Sequence, residues 1–205
     1  MTKSLKITLI ILAFLTLGLF MHFDLFSGLP FVHNFYENSV LTVNTRRGIA
    51  NIYIDGIDYG QTPTSISNLA QGGYTVELEK ISENPETYEK ESFYIELYRN
   101  TEAVIDIEIA PDGFKSGHIL FYSPMPRTFN QEGAVSMRAD INDYEVLIND
   151  ERIDKDKIIS YKLEPEEYDI KIMSEGYESL EFPAIVREGY DLNIRVYLLP
   201  IPISF

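Results

Sequence analysis

The chain contains no cysteine. No disulfide can staple it, no thiolate can attack a substrate, and no cysteine-ligated zinc or iron-sulfur site can form. Basic side chains are also scarce: 17 lysines and arginines stand against 32 aspartates and glutamates, a formal net charge of −15. Such a field repels the phosphate backbone that a nucleic-acid binder has to neutralise, which sets nucleic acid aside as a partner. Histidine occurs only as His22, His33 and His118, none of them inside the segments of alternating polarity, where a base or metal ligand would be regularly placed. No Gly-x-Ser-x-Gly elbow, Ser-x-x-Lys pair or Gly-x-x-x-x-Gly-Lys loop is present to activate a hydroxyl or cradle a phosphate. With 32 acidic residues, paired carboxylates carry no information about glycoside hydrolysis. The expectation is a protein that is not an enzyme and has no cofactor.

What is present begins with an apolar run. Ile7 to Phe23 is apolar apart from threonines and one histidine, and helical rise makes it about 25 Å long, near the lower limit for crossing a bilayer. Lys3 and Lys6 precede it and Asp24 and Glu37 come after it, so the positive-inside bias places the N-terminus in the cytoplasm and the rest outside. The expectation is an anchor over 1–24 and a single-pass membrane protein. A cleaved signal peptide and a secreted form are the alternative, although no Ala-x-Ala-like exit site lies between Leu17 and Pro30. A juxtamembrane segment over 25–40 carries Phe26, Phe31, Phe35 and Tyr36, rings suited to the membrane face.

Beyond about residue 40, apolar and polar residues alternate, as in strands with one buried face. Clear runs are 41–43, 50–54, 74–78, 93–97 and 103–109, separated by turn formers such as Asp55-Gly56, Tyr59-Gly60, Gln71-Gly72-Gly73 and Asn84-Pro85. Shifting the chain by 94 positions reproduces the layout. Leu41 and Val43 fall on Val135 and Met137, Ile52 and Ile54 on Val146 and Ile148, Leu69 on Leu163, and Tyr74, Val76 and Leu78 on Tyr168, Ile170 and Ile172. After five extra residues around 82–86 the shift becomes 89, and Phe93 matches Phe182 while Ala103, Ile105, Ile107 and Ile109 match Leu192, Ile194, Val196 and Leu198. A slip of one residue would turn every core side chain outward, so a phase kept over several strands points to a tandem duplication. The copies span 41–110 and 135–199. The connector, 111–134, holds a short strand at His118 to Tyr122 and a stiff Ser123-Pro124-Met125-Pro126 stretch. An apolar tail, 200–205, either lies along an edge of copy two or offers a partner a sticky end. The fold class expected is all-β, two tandem small β-sandwich modules behind an N-terminal transmembrane helix.

Copy one carries a more specific pattern: Ala50, a strand ending in Asp55-Gly56, then Gly60-Gln61-Thr62-Pro63, and Gly73 opening a later strand. This resembles the PEGA domain, a small β-sandwich module of bacterial and archaeal envelope proteins with surface or wall-related binding or structural roles. The resemblance departs at Arg46-Arg47-Gly48-Ile49-Ala50, which lacks the family's proline. Copy two keeps the alternation but replaces the glycine positions, with Asn149-Asp150 for Asp55-Gly56, Asp154 to Lys157 for Gly60 to Pro63, and Glu167 for Gly73.

The motif residues Asp55, Gly56, Gly60, Thr62, Pro63 and Gly73 read as structural turn residues, because glycine accepts positive φ, aspartate bonds its own backbone and proline fixes φ. A calcium reading of Asp55 and Asp58, or of Asp150, Asp154 and Asp156, lacks the alternating ligands and closing Glu of an EF-hand loop, so no metal is expected. Tyr53, Tyr94 and Tyr98 share the phase opposite the core and are the candidate ligand contacts, either for a sugar or for a neighbouring protein. The functional expectation is a non-catalytic, membrane-anchored envelope protein that binds or scaffolds wall polymer, surface glycan or another envelope protein. The alternative is a passive spacer or assembly subunit with no small ligand.

Overall fold

The computed structural model describes residues 37–126 and 132–202. The N-terminal half runs through β1 (Glu37–Asn44), β2 (Ala50–Ile54), β3 (Ile57–Gln61), β4 (Thr64–Ala70), β5 (Gly72–Lys80), β6 (Glu91–Leu97) and β7 (Glu102–Ile109). After β8 (Lys115–Pro124), the C-terminal half runs through β9 (Gly133–Ala139), β10 (Glu145–Ile148), β11 (Glu151–Ile153), β12 (Tyr161–Leu163), β13 (Glu167–Met173), β14 (Leu180–Ile185) and β15 (Tyr190–Tyr197). These form two four-stranded sheets, β3-β2-β5-β6 and β11-β10-β13-β14, and one seven-stranded sheet ordered β12-β9-β15-β8-β7-β1-β4. Each half places its first strand parallel to its last, with Leu41 opposite Ala103 in one and Val135 opposite Leu192 in the other.

The membrane-anchored architecture expected from the sequence is corrected here. No helix among the described residues is long and apolar enough to cross a membrane, and the segment Ile7 to Phe23, on which the anchor, the single-pass localisation and the membrane as partner all depend, lies outside the described residues. Within the described residues most apolar side chains of the strands are buried in two protein cores. Among the described residues the fold is all-β, with no helix able to span a membrane. The anchored envelope function, which rested on that helix, is withdrawn with it.

Two cores form, and they lie on opposite faces of the seven-stranded sheet. Leu41, Val43, Ile52, Ile54, Val76, Leu78, Phe93, Ile95 and Leu97 meet Ala103, Ile105 and Ile107 beneath the N-terminal four-stranded sheet. Val135, Met137, Val146, Ile148, Ile170, Ile172, Leu180 and Phe182 meet Leu192, Ile194 and Val196 beneath the C-terminal one. Successive side chains of β8 divide between them: Ile119 and Phe121 belong to the first core, Leu120 and Tyr122 to the second. Because β7 and β15 both run antiparallel to β8, a half-turn about the axis of β8 exchanges β7 with β15, β1 with β9 and the two faces of the sheet. The segment that reads as a connector therefore supplies the strand shared by both halves. Gly117 on β8 has φ +140°, and a Cβ there would meet the Asp106 carbonyl oxygen at 1.9 Å, so no other residue fits without moving β7 away. The described part of the apolar tail lies on the C-terminal half: Glu178 donates to the Leu199 carbonyl at 2.9 Å and Ile201 to that of Gly176 at 2.8 Å.

His118 on β8 is buried, as is Tyr122 on the same strand. The His118 ring stacks on Phe182 with centroids 3.9 Å apart, and Nδ1 has no hydrogen-bond partner among the described residues. Burial pushes its pKa down to about 4, opposed by the Asp106 carboxylate and assisted by Arg46.

The shared strand leads to two expected outcomes. Gly117→Ala should cost about 2–4 kcal/mol, read as a lower urea midpoint with one transition shared by far-ultraviolet and tyrosine signals; two separate transitions would mean that the halves are not coupled through β8. The depressed His118 pKa means that the unfolded chain takes up the proton first, near pH 6.5. The stabilising contribution is full above that pH and is lost as pH falls towards about 4. His118→Phe should therefore narrow the acid-side loss of stability relative to the unaltered protein, whereas midpoints that fall in parallel from pH 7 to pH 4 would contradict it.

Candidate functional site

The turn chemistry of the N-terminal half positions one outward sheet face. Asp55 and Gly56, at φ 49° and 80°, close the β2–β3 hairpin. Asp55 is also tied to β5, its N–H donating to the Thr75 carbonyl at 2.9 Å and its Oδ1 accepting from Thr75 N–H at 2.9 Å. The Gly60 N–H donates to Asp58 Oδ1 at 2.7 Å, so both aspartates of the hairpin are engaged by backbone amides. Thr62 is buried and its Oγ1 accepts from the Ala50 N–H at 3.0 Å while bonding the Thr45 hydroxyl at 2.7 Å. That hydroxyl joins the exit of β3 to the entry of β2; Pro63, exposed, comes next through a cis peptide. Among the described residues no group of three His, Asp or Glu side chains is placed to hold a metal ion.

Alternation puts Asn51 and Tyr53 of β2, Gly73, Thr75, Glu77 and Glu79 of β5, and Ser92, Tyr94 and Glu96 of β6 on the face away from the core. Tyr53 stands opposite Glu77, and Tyr94 opposite Thr75. The two tyrosines thus occupy neighbouring rows on strands either side of β5, roughly 12 Å apart at the backbone. The Tyr94 ring lies over Gly73, where an added Cβ would come within 2.2 Å of the phenolic oxygen. The ring as placed leaves no room for a Cβ at residue 73, where the glycine keeps ordinary φ, and it is still 51% exposed. Tyr53 donates to Glu79 at 3.2 Å, and the Lys90 ammonium, 3.0 Å from Glu77, sits 4.6 Å from the Tyr53 ring centroid. The Glu79 hydrogen bond raises the Tyr53 pKa, because an ionised acceptor favours the protonated phenol. Tyr98 lies just past the end of β6 in the turn towards β7. It is half-buried, donates to Glu96 at 3.1 Å, and has its pKa raised first by desolvation and then by that bond.

The structure thus brings Tyr53 and Tyr94 onto one face and leaves Tyr98 at its margin. Glu77, Glu79 and Lys90 join the same face without having been singled out from sequence. The glutamates were accessible to the alternation argument, since they interleave Val76 and Leu78; Lys90 lies in a loop and carries no local signal. In the C-terminal half the corresponding hairpin is built differently in chemistry but alike in geometry. Asn149 has φ 49°, its N–H donates to the Asp169 carbonyl at 2.9 Å, and its Oδ1 accepts from Asp169 N–H at 2.9 Å. The glycine and its covering ring are both absent there, since Glu167 and Pro183 stand at the equivalent positions.

Residues 38–112 match the family model of the PEGA domain, and this part of the chain is a single PEGA domain. No curated protein and no solved structure matches the chain.

The Gly73–Tyr94 contact is directly testable. Gly73→Ala should push the Tyr94 ring off β5 and cost about 1 kcal/mol or more of stability, while the double variant with Tyr94→Ala should recover most of that loss. A Gly73→Ala penalty that persists in the Tyr94→Ala background would show that backbone constraint, and not the ring, requires the glycine.

Proposed function

We propose that this protein is a non-catalytic interaction module that engages a protein partner through the outward face of the sheet β3-β2-β5-β6. The observation that carries the reading is Tyr94, a large ring 51% exposed that lies over Gly73 on the same face as Tyr53. A tyrosine has few rotatable bonds to immobilise on contact, and such anchors dominate interface energies. Tyr53 and Tyr94 are the contact residues in this reading, with Tyr98 at the rim. The glutamates and Lys90 between them supply polar contacts. Asp55, Gly56, Gly60, Thr62, Pro63 and Gly73 hold the face in shape.

The reading extends to the C-terminal half as a diverged second PEGA domain, with the division at 41–110 and 135–199 and 111–134 between them. Its support is the repeated strand order and the pairing of equivalent residues at constant offset. The missing glycine and aromatic make that half a supporting unit. A second reading, a rigid spacer without a partner, draws on the strand β8 that joins both cores.

Photo-crosslinking in the cell that makes the protein separates these readings. A benzoylphenylalanine at Asn51, on the tyrosine face, should give a discrete adduct that disappears when Tyr53→Ala and Tyr94→Ala are added. The same residue at Ser67, on β4, should give none. Equal labelling from both positions, or an Asn51 adduct indifferent to the tyrosines, would overturn the interaction reading; no adduct from either position would favour the spacer.

A further inference from the structure

We propose that Arg138 and Arg195 form an oxyanion-binding site, for a carboxylate or a phosphate group, on the shelf where the seven-stranded sheet runs out from under the N-terminal four-stranded sheet. A cavity of about 210 Å³ lies there, lined by Phe121, Ser136, Arg138, Ile159, Asn193 and Arg195 among others. β9 and β15 pair in parallel with Arg138 directly opposite Arg195. Their neighbours Met137 and Ile194 belong to the C-terminal core, so both guanidiniums rise from the other face, about 5 Å apart at the backbone.

Two like charges side by side on a sheet are unfavourable. In a chain with a net charge of −15 they would be expected to draw in carboxylates, yet among the described residues neither arginine has an ion-pair partner. Arg195 is nevertheless oriented. Its Nη1 donates to the Tyr94 carbonyl at 2.7 Å and its guanidinium sits 5.2 Å from the Phe121 ring centroid. One of five N–H groups is used by that bond, and the rest remain for a fork-shaped contact with an oxyanion. Exposed Ile159, at 70%, gives the cavity an apolar rim.

Asp191 is the nearest acid along β15, four residues before Arg195, roughly 13 Å away by strand rise and beyond the screening length of physiological salt. Its Oδ2 accepts the Ser136 and Ser160 hydroxyls at 2.8 and 2.9 Å and its Oδ1 is buried, while Asp140, two residues past Arg138, accepts the Leu198 N–H at 3.3 Å; neither acid forms an ion pair with the two arginines. The pseudo-equivalent shelf in the N-terminal half carries the opposite charge and is matched internally. There Asn44 stands opposite Asp106, and Asp106 is matched internally by Arg46 at 3.6 Å.

Arginine side-chain Nε–Hε resonances of the full chain, monitored while inorganic phosphate or acetate replaces chloride at constant ionic strength, test the assignment. Saturable shifts of both Arg138 and Arg195 with at least one probe are expected, with phosphate and acetate arms telling the two chemistries apart. Arg138→Gln should weaken the binding at least tenfold while leaving the urea midpoint unchanged, and Arg195→Lys should weaken it by loss of the fork. Shifts that drift linearly with both anions, or saturation that survives Arg138→Gln unaltered, would overturn the site.

Discussion

One strand is asked to satisfy two cores, and the architecture depends on it. β8 sends Ile119 and Phe121 to one side and Leu120 and Tyr122 to the other, so its run of apolar residues is buried on both faces. Both of its edges are also paired, to β7 and to β15. Side-chain alternation with period two then forces the four-stranded sheets onto opposite faces, because each half can only use the side chains that point its way. The result is a half-turn relation about β8 in place of two domains on a tether. Small units of this size bury too little surface to be robust alone; sharing a strand lets each borrow a wall from the other.

Within that frame, equivalent positions keep physical roles more faithfully than residue identities. Asp55 and Asn149 both present a side-chain oxygen to the facing amide at 2.9 Å. Tyr74 and Tyr168 both send their hydroxyls to a carbonyl four residues earlier, at 2.8 and 3.2 Å. Thr42 donates to Glu102 and Ser136 to Asp191, each at 2.8 Å, across the parallel strand pair. In every case the acceptor chemistry or the hydroxyl is retained while charge or length varies. Turn geometry needs an oxygen at a certain place and a residue tolerant of positive φ; aspartate and asparagine meet both requirements, glycine only the second.

Much of this was legible in the chain. The offsets of 94 and 89 place Leu41 with Ala103 and Val135 with Leu192 in matching pairs, because burial imposes period two and a slip would expose the core. β3 and β4 were not legible: Ile57 to Gln61 is exposed throughout, and Thr64 to Ala70 buries only Leu69 fully. Edge strands held by backbone bonds leave no alternation to read. The role of β8 was half legible, since His118 to Tyr122 reads as a strand but its continuous apolar run does not say which neighbours cover each face. Tyr53 and Tyr94 were found through phase alone. Their spacing across β5, the dependence of Tyr94 on Gly73 and the entry of Lys90 from a loop are tertiary facts that no local window contains. The apolar run Ile7 to Phe23 has the composition of a membrane span, but composition alone does not establish how a segment is used.

The contrast between constrained and free positions also explains where the two halves differ most. Residues facing the cores are held by volume and register, so Ile105 and Ile194 or Ile107 and Val196 differ by little. Apart from Tyr197, which packs against the N-terminal core, residues on the shelves face neither core and answer chiefly to charge. There the half-turn brings Asn44 and Asp106 into the places of Arg138 and Arg195, and acidic Glu108 into that of Tyr197. The acidic shelf closes on itself through Arg46 and Arg47, at 3.6 and 3.3 Å, whereas the basic one meets a backbone carbonyl and an aromatic face. An overall excess of negative charge makes the first arrangement easy to satisfy internally. It leaves the second as the place where an exposed surface of this chain attracts what most of the molecule repels.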